Sequence, residues 1–459
     1  MHIQAARSGA RVLMRRGRSG FLLATLALGF AFVVGLPARA SFSKRVSGNL
    51  VFWDQSRGFD VIRANADLFS EISPFWYRVE ADGDVTPYTT DGGASYEDSS
   101  ILSFLRANGI LVIPTVANIV SGVWDGALVS RIIADPALTA LNIGSLVQLA
   151  VTQGYDGIDL DYENLSASDR LAFTSFVNQL AVALHANGKL LTVNVYAKTS
   201  EPGTWSGPRA QDWWAIGQVV DQVRIMTYEY HWSTSGAGPI APVDWVGDVL
   251  AFARTTIPAQ KIMQGVPLYG YDWVGQAGVD VVWEQAMALV NQYGATVQWD
   301  AASASPWFEY VAKRTRHTVW FENASSVDAK LQVNAAYDAG GVSFWRLGGQ
   351  DPQVWSTLRN RLGGAGPEPD SVAPSVSIIS PASGGSLLKT QPIEALASDN
   401  IGVVRVEFYI NDALFATDAS APYVVYWNTR RTAPGAYLIK AIAYDATGHS
   451  AAAAVTVTR

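Results

Sequence analysis

The chain of 459 residues contains no cysteine. It can therefore form neither a disulfide framework nor a thiolate metal site, and its hydrophobic core must hold the fold. Histidine is scarce as well, with five residues, and no histidine cluster accompanies the acidic residues. We expect neither a metal nor another cofactor. Apolar residues make up 49% of the chain, which suffices for one barrel-sized domain and a second, smaller one.

Basic residues are in the minority: 33 Lys and Arg face 40 Asp and Glu, for a formal net charge of −7. Residues 1–40 contain six arginines and no acid, so removal of this segment would take the charge to −13. Nucleic-acid binding depends on Lys and Arg at phosphates. The composition therefore argues against a nucleic-acid partner and favours a neutral or cationic one.

One long apolar run stands out, Phe21 to Leu36, with arginines before it and Ala38-Arg39-Ala40 after it. This order is typical of a secretory signal peptide, and the run is marginal for spanning a bilayer. We predict a signal peptide over residues 1–40, cleaved near Ala40, and a secreted or cell-envelope protein that is not inserted in the membrane afterwards. An uncleaved anchor is the alternative. Arg15-Arg16 gives only a weak twin-arginine signal.

Short apolar runs alternate with amphipathic segments over residues 46–362, as in repeated βα units. Eight runs favour a closed (β/α)8 TIM barrel, α/β in class, over an open sheet. Helical periodicity follows the fourth run, with Ser168 as the expected cap and Asn187-Gly188 as the expected end. The predicted strands are Leu50–Trp53, Glu71–Val79, Ile110–Val116, Tyr155–Tyr162, Leu190–Val195, Gln222–Thr227, Lys261–Pro267 and Gly341–Trp345.

A Gly/Pro-rich linker over residues 363–373 separates the barrel from a second domain, residues 374–459. Apolar and polar residues alternate there in short runs, as at Val404 to Asn411 and Tyr437 to Tyr444. We predict a small all-β immunoglobulin-like sandwich without a disulfide. Trp427 is its only tryptophan, so a spacer or stabilising module is favoured over carbohydrate binding.

Three carboxylates occupy every second position of the fourth predicted strand: Asp159, Asp161 and Glu163. On a strand they lie on one face, about 6.6 Å apart, with the intervening apolar residues on the other. Burial of such a row is costly unless partners or chemistry compensate. The row therefore predicts an active site. A metal site or a solvated edge strand is the alternative.

In a barrel the active site lies at the C-terminal ends of the strands, where Glu163 falls. Glu163 is thus the expected proton donor. Repulsion and desolvation should make Asp161 or Asp159 hold a proton, which the two groups would share. Asp161 would then be able to turn toward Glu163 or a substrate amide.

The run Asp156-Gly157-Ile158-Asp159-Leu160-Asp161-Tyr162-Glu163 resembles the DxxDxDxE signature of glycoside hydrolase family 18, the chitinases and their relatives. The resemblance implies that Glu163 protonates the glycosidic oxygen while the substrate's own 2-acetamido oxygen attacks the anomeric carbon. Asp161 would orient that amide, and Asp159 would support Asp161. This is the substrate-assisted exception to the two-carboxylate retaining scheme.

Other stretches extend the resemblance over roughly residues 46–362. In Met226-Thr227-Tyr228-Glu229, Tyr228 matches the tyrosine that bonds the acetamido oxygen, whereas Glu229 stands where the family commonly has Asp. Trp345 matches the family's tryptophan on the eighth strand, which forms the floor under the reacting sugar. Asn118, Tyr269 and Asp156 complete the predicted substrate-binding set. Asp272 and Glu322 are as consistent with structural roles as with substrate contact, and His231 is expected to orient its neighbours.

The stretch Gly265 to Trp273 is similar to the compact branch of spore-cortex and cell-wall N-acetylglucosaminidases. Between Tyr271 and Gly341 the sequence predicts a helix, a hairpin and a second helix rather than a large α+β insertion, and so a shallow groove. LysM repeats, frequent in that branch, are not found in the sequence.

The predicted function is a monomeric, secreted retaining glycosidase that cuts β-1,4 bonds of N-acetylglucosamine-containing polysaccharides or oligosaccharides, of the peptidoglycan or chitin type. Two alternatives stay open. One is a catalytically silent glycan-binding protein on the same barrel, and the other is an adhesin in which the sandwich carries the ligand affinity.

Overall fold

The structure is a computed structural model that describes residues 44–362, 373–399, 403–418, 422–445 and 449–459. The expected signal peptide and residues 363–372 of the expected linker lie outside the described residues. The described part contains a barrel and a sandwich, each with its own hydrophobic core.

Eight parallel strands form a closed barrel, which confirms the predicted fold class. Each strand pairs with the next, and the first pairs with both the second and the eighth, so the sheet has no open edge. From first to eighth the strands are Arg45–Val51, Glu71–Val79, Thr115–Ala117, Gly157–Asp161, Leu190–Tyr196, Gln222–Met226, Ile262–Pro267 and Gly341–Trp345. Short strands Leu111–Val112 and Val85–Pro87 also pair with the second strand, and Ile119–Val120 pairs with Val123–Trp124.

The first barrel strand differs from its predicted bounds, because Leu50–Trp53 covers only its end. The strand starts at Arg45, and Phe52–Asp54 already form a 3-10 turn. Its polar and small residues are not typical of a strand, yet pairing with the eighth strand places them in the barrel wall. Asn49, for example, donates its side-chain N–H to the Phe344 carbonyl at 3.0 Å.

Helices surround the barrel and cover the apolar outer face of its strands. In the described residues no single helix has the length and apolar run needed to cross a bilayer; Gly126–Ala134 and Pro136–Thr152 pass that test only as a pair, bent by 109°. The helices are α1 (Gln55–Ala64), α2 (Ser99–Ala107), α3 (Gly126–Ala134), α4 (Pro136–Thr152), α5 (Arg170–His185), α6 (Ser206–Arg209), α7 (Trp213–Val219), α8 (Val243–Thr256), α9 (Trp283–Tyr293), α10 (Ala324–Ala336) and α11 (Gln353–Leu362).

Helix α5 follows the fourth strand as predicted, but the capping residue differs from the predicted one. Ser166, not Ser168, accepts the capping bond, and with Asp169 it forms a capping box on a short 3-10 turn, Ala167–Asp169. The chain leaves the helix after His185, and Gly188 adopts a positive φ of 66°. The residues predicted to face the core are all buried: Phe173, Phe176, Val177, Leu180 and Leu184.

Between the seventh and eighth barrel strands the chain forms a five-stranded antiparallel sheet together with α9, which we call the insertion. The predicted helix, hairpin and second helix are present as α9, the pair Ser305–Ala312 and Thr315–Trp320, and α10, but the prediction missed the other strands of this sheet. After the seventh strand, the alternating segment Tyr269 to Val274 forms the first strand of a new sheet. A Cβ at position 270 would lie 2.0 Å from the Trp320 carbonyl oxygen, so this close approach requires the glycine that is found there. The insertion strands are Tyr269–Val274, Ala277–Val282, Gln298–Asp300, Ser305–Ala312 and Thr315–Trp320.

The C-terminal part is a two-sheet sandwich, as predicted. Alternate residues of its strands point inward, so that Val406 and Phe408 pack against Ile439 and Ala441 with no exposed surface. Trp427 also lies in this core, which removes it as a sugar-stacking surface. One sheet consists of Ser375–Ser380, Thr390–Ser398 and Tyr423–Asn428, and the other of Val403–Ile410, Ala413–Asp418, Ala436–Asp445 and Ser450–Thr458.

Candidate active site

The fourth barrel strand carries the acidic row on its inner face. Ile158 and Leu160 point outward into the apolar layer under the helices, and both are fully buried. Asp159 is also fully buried, Asp161 is 5% exposed, and Glu163 follows the strand end in a half-buried position. Because this strand lies between the third and fifth strands, the solvated edge-strand alternative is wrong.

Asp159, the deepest of the three acids, is surrounded by donors from the third, fifth and sixth strands. Thr115 and Thr192 donate hydroxyl bonds to it at 2.8 and 2.5 Å, and the Asn194 amide donates at 3.0 Å. The Arg224 guanidinium lies 3.1 Å from its Oδ1. Asp159 thus acts as a fixed acceptor below Asp161, which is consistent with the supporting role that the family resemblance implies.

Arg224, on the sixth strand, is a residue that the sequence interpretation missed. It lies in the barrel interior, 2% exposed, and joins two acids, because it also donates to Glu71 at 2.9 Å. It donates to the Ser73 hydroxyl at 2.6 Å as well. A charge inside the apolar run Val223-Arg224-Ile225 is the same signal as the acidic row and would have revealed it. The interior of the barrel therefore compensates the row with a buried cation.

Asp161 lies above this network, and its surroundings disfavour its ionised form. Burial raises its pKa well above the ordinary value, and the charges of Glu163 and Asp159 raise it further, while Arg224 opposes them. The direction of this shift favours Asp161 as a holder of the expected proton. Its Oδ1 is buried and has no hydrogen-bond partner. An unpaired buried acceptor costs about 1–3 kcal/mol, so this atom is available for a ligand.

The side chain of Glu163 is held by a hydrogen bond from the fifth strand. The Tyr196 hydroxyl donates to its Oε2 at 2.5 Å. Burial raises the pKa of Glu163 to about 7, with the charge of Glu229 acting in the same direction and the bond from Tyr196 lowering it. Glu163 therefore carries its proton up to neutral pH, as a general acid must. Tyr196, directly after the predicted fifth strand, is the second residue that the sequence interpretation missed.

Tyr228 and Glu229 follow the sixth strand and face the acids. Burial, Asp161 and Glu163 all raise the pKa of Tyr228, so its ring stands among the carboxylates with a protonated hydroxyl. Glu229 adopts a positive φ of 59° and accepts hydroxyl bonds from Tyr269 and, at 2.9 Å, from Tyr271. The structure thus brings these predicted residues together with the acidic row. Tyr271, a third missed residue, lay inside a stretch already singled out in the sequence.

Trp345 ends the eighth strand, across the barrel from the fourth. Its ring meets Phe75 edge to face at 5.7 Å and Trp53 at 6.4 Å. It also packs against the buried cluster that contains Tyr269 and Trp273, so it joins two aromatic groups at the barrel mouth. Such a surface suits the apolar face of a sugar ring.

Two residues that were predicted to bind the substrate, Asn118 and Asp156, bond to the protein backbone. Asn118 is fully buried, and its amide oxygen and nitrogen bond the backbone N–H and carbonyl of Glu163 at 2.8 and 2.9 Å. Asn118 therefore positions the acid instead of contacting a substrate. Asp156 precedes the fourth strand, at the opposite end from Glu163, and accepts the Val112 N–H at 2.7 Å. It fixes the strand entry, so its assignment to the substrate was wrong.

The less specific candidates have structural partners. Asp272 accepts bonds from Tyr310 at 2.5 Å and from His317 at 2.9 Å, inside the insertion. Glu322 is buried and pairs with Lys330 at 2.8 Å. His231 bonds the Pro239 carbonyl at 3.0 Å and so holds its own loop. Tyr269, in contrast, reaches the site through Glu229.

A protonated carboxyl group next to further buried carboxyls, at the mouth of a (β/α)8 barrel, is the arrangement that cleaves glycosidic bonds by general acid catalysis. Fold and site together define a glycoside hydrolase. Comparisons with known proteins agree: the model of glycosyl hydrolases family 18 matches residues 114–351, and the chain belongs to this family. A bacterial Ig domain model matches residues 374–441, in the sandwich.

Individual relatives narrow the class further. The chain is 31% identical to the cortical fragment-lytic enzyme of Bacillus subtilis (strain 168) over 275 residues, 58% of this chain and 63% of that enzyme. A chitinase from Chromobacterium violaceum ATCC 12472 superposes with a TM-score of 0.65 and 30% identity, over 70% of this chain and 99% of that one. The spore cortex-lytic enzyme SleL of Bacillus cereus superposes with a TM-score of 0.63 and 27% identity, over 70% of this chain and 74% of that one. The chain is thus a family 18 glycosidase related to cortex-lytic enzymes and chitinases.

Proposed function

We propose that the chain is a secreted, monomeric retaining glycosidase that hydrolyses β-1,4 bonds in N-acetylglucosamine-containing glycans of the peptidoglycan or chitin type by substrate-assisted catalysis. The observation that carries the proposal is the contrast between neighbouring acids. Burial raises the pKa of Glu163 and of Asp161 at the barrel mouth, while Asp159 is paired with Arg224 beneath them.

Glu163 acts first as the general acid. Its pKa of about 7 keeps it protonated at neutral and acidic pH, so it protonates the glycosidic oxygen as the bond breaks. Tyr196 occupies Oε2, which leaves Oε1 to deliver the proton. The resulting carboxylate then takes a proton from the water that completes the hydrolysis.

The nucleophile is the acetamido oxygen of the substrate itself. Neither Asp161 nor Tyr228 therefore needs to form a covalent bond with the sugar. The unpartnered Oδ1 of Asp161 accepts the amide N–H and holds the acetamido group in place. The oxazolinium-like intermediate is positively charged, so Asp161 becomes ionised as it forms and passes its proton to Asp159, the aspartate expected to share it. Tyr228 donates its hydroxyl to the acetamido oxygen from the opposite side.

The glycan class is supported by the relatives, whose names describe cortical fragment-lytic and chitinase activities. The mechanism restricts the substrate in the same way, because only a sugar with a 2-acetamido group supplies the nucleophile. Secretion is supported by the basic, apolar and Ala-x-Ala sequence of residues 1–40.

Glu163→Gln tests the assignment of the acid. The amide has no proton to give, so hydrolysis of an N-acetylglucosamine hexamer should fall by at least about 10²–10⁴-fold while hexamer binding persists. Glu284→Gln, a change at an exposed ion pair with Arg57, is the matched control and should keep full activity. Near wild-type turnover by Glu163→Gln would refute the role of Glu163, and wild-type protein that binds the hexamer without any product would indicate a silent glycan-binding protein.

A further inference from the structure

Arg346 directly follows Trp345 at the end of the eighth barrel strand, and the proposed mechanism does not use it. Its side chain is only 12% exposed. The guanidinium donates from Nη1 to Oδ2 of Asp54 at 3.0 Å and from Nη2 to Oδ2 of Asp280 at 2.8 Å. One largely buried cation therefore connects two acids that are far apart in the sequence.

The two acids belong to different parts of the molecule. Asp54 ends the 3-10 turn that follows the first barrel strand, whereas Asp280 lies on the insertion strand Ala277–Val282. Arg346 itself belongs to the exit of the eighth strand. Its two ion pairs therefore attach the insertion to the barrel at the mouth, next in the chain to Trp345.

The backbone after Arg346 is shaped for this contact. Gly348 has a positive φ of 116°, and a Cβ there would lie 2.9 Å from Oδ2 of Asp54, the atom that Arg346 bonds. One residue further on, the Gly349 carbonyl accepts the Glu284 N–H at 3.0 Å. The connection after the eighth strand therefore lies against Asp54 and is bonded to the insertion through its backbone as well.

Asp280 connects Arg346 to the candidate active site. It pairs in register with Tyr271 on the neighbouring strand, and Tyr271 donates its hydroxyl to Oε1 of Glu229 at 2.9 Å. Tyr269, on the same strand as Tyr271, donates to the same oxygen. The insertion can therefore hold Glu229 in one place only if the insertion itself is fixed to the barrel.

The charge of Asp280 acts on the same group. Burial is the main cause of the raised pKa of Glu229; the two tyrosine hydroxyls lower this pKa, and the charge of Asp280 raises it. On the barrel side, the charge of Glu229 acts in turn on Tyr228 and Glu163. Because Arg346 lies 2.8 Å from Asp280, it compensates part of the negative charge that Glu229 experiences.

We propose that Arg346 is a positioning residue of the active site, which fixes the insertion to the barrel mouth through Asp54 and Asp280 and so holds Glu229 opposite the acidic row. The inference rests on the proposed function and adds to it a residue that acts through its neighbours. Arg346 has a geometric effect, because it anchors the insertion, and an electrostatic effect, because it offsets the charge of Asp280.

The geometric effect is tested by breaking one ion pair from either end. Arg346→Met and Asp280→Asn both release the insertion, so kcat/KM for the N-acetylglucosamine hexamer should fall about fivefold to tenfold in each. The loss in the double variant should be no larger than in Arg346→Met, because the two residues act through the same bond. Arg346→Lys keeps the charge and should recover part of the activity.

The pKa of Glu229 distinguishes positioning from a general loss of structure. Carbon NMR of protein labelled at the glutamate carboxyl groups measures it, with Glu229→Gln identifying the signal. Arg346→Met leaves Asp280 uncompensated and should raise this pKa by about half a pH unit, whereas Asp280→Asn removes that charge and should lower it. Glu309→Gln, which breaks an ion pair with Arg316 elsewhere in the insertion, is the matched control and should change neither readout.

Shifts of the same sign in both variants, or no shift, would overturn the proposal, because a loss of structure does not depend on which charge is removed. Unchanged kcat/KM in both variants would overturn it as well. Asp280 is 46% exposed, so Asp280→Asn is expected to fold even where Arg346→Met does not. A protein that releases no product would contradict the proposed function alone, since opposite NMR shifts would still support the role of Arg346.

Discussion

Glu163 has opposing influences on its pKa that come from two different strands. Burial and the charge of Glu229 raise it, and the hydrogen bond from Tyr196 lowers it, with a result of about 7. Because the general acid must be protonated, activity should be lost as the pH rises through about 7. The acid is thus adjusted by its neighbours to work at neutral pH.

Tyr196→Phe should move this alkaline limit to higher pH. The change removes a bond that favours the ionised carboxylate, so the pKa of Glu163 rises and the protonated form survives further. The value of kcat should fall at the same time, because Oε2 is no longer fixed. The measurement is kcat/KM for the hexamer across pH, with Tyr426→Phe, an exposed residue of the sandwich, as control. A limit that stays in place or moves to lower pH would contradict this account.

The sequence predicted the acids at the residue scale because one predicted strand contains all three. Alternation along a strand is a local rule, so Asp159, Asp161 and Glu163 needed no knowledge of neighbours. Arg224 and Asn118 depend on contacts between strands that are distant in sequence. Asn118 carries the same amide whether it meets a sugar or the backbone of Glu163, and only the fold decides between them.

The barrel strands are joined across their interior by a buried ionic network. Arg224 on the sixth strand pairs with Glu71 on the second and Asp159 on the fourth, and all three side chains are at most 2% exposed. Removal of one member of a buried ionic group leaves the others uncompensated. The network therefore ties strands that do not pair with one another.

Arg224→Met should lower the free energy of unfolding by about 3–5 kcal/mol, because Glu71 and Asp159 lose their common cation. Urea unfolding of both proteins measures the difference. Glu284→Gln, which breaks an exposed pair with Arg57, should change stability by no more than about 1 kcal/mol. A loss for Arg224→Met as small as that for Glu284→Gln would show that the network does not hold the strands together.

Element bounds were predicted well where periodicity was regular and poorly where pairing overrides it. The eighth strand, Gly341–Trp345, agrees at both ends with its prediction. The first strand and the insertion do not, since residues such as Ser47 and Asn49 enter the sheet only through their neighbours. The five strands of the insertion pair with one another. No local sequence pattern marks where the seventh barrel strand ends and the new sheet begins.

On the scale of the whole molecule, every residue of the proposed mechanism lies in the barrel and its insertion. The sandwich has a separate core around Val406 and Phe408 and contributes none of the acids. Its one tryptophan is buried, so it offers no evident sugar platform. The chemistry should therefore be independent of the sandwich.

A chain that ends at Leu362 should hydrolyse soluble hexamer with a kcat/KM within about twofold of the full chain, because α11 closes the barrel before the linker. Circular dichroism verifies that the shortened protein is folded. The isolated sandwich should not bind the hexamer in calorimetry. If the sandwich carried all the affinity, the molecule would be an adhesin with an incidental barrel.

The central claim, hydrolysis with help from the substrate's own acetamido group, is tested most directly by the configuration of the first product. Proton NMR during cleavage of N-acetylglucosamine hexamer and of peptidoglycan strands reports the anomer before mutarotation. Attack by the acetamido oxygen followed by water gives two inversions, so the account predicts the β-anomer first. The α-anomer as first product would contradict it.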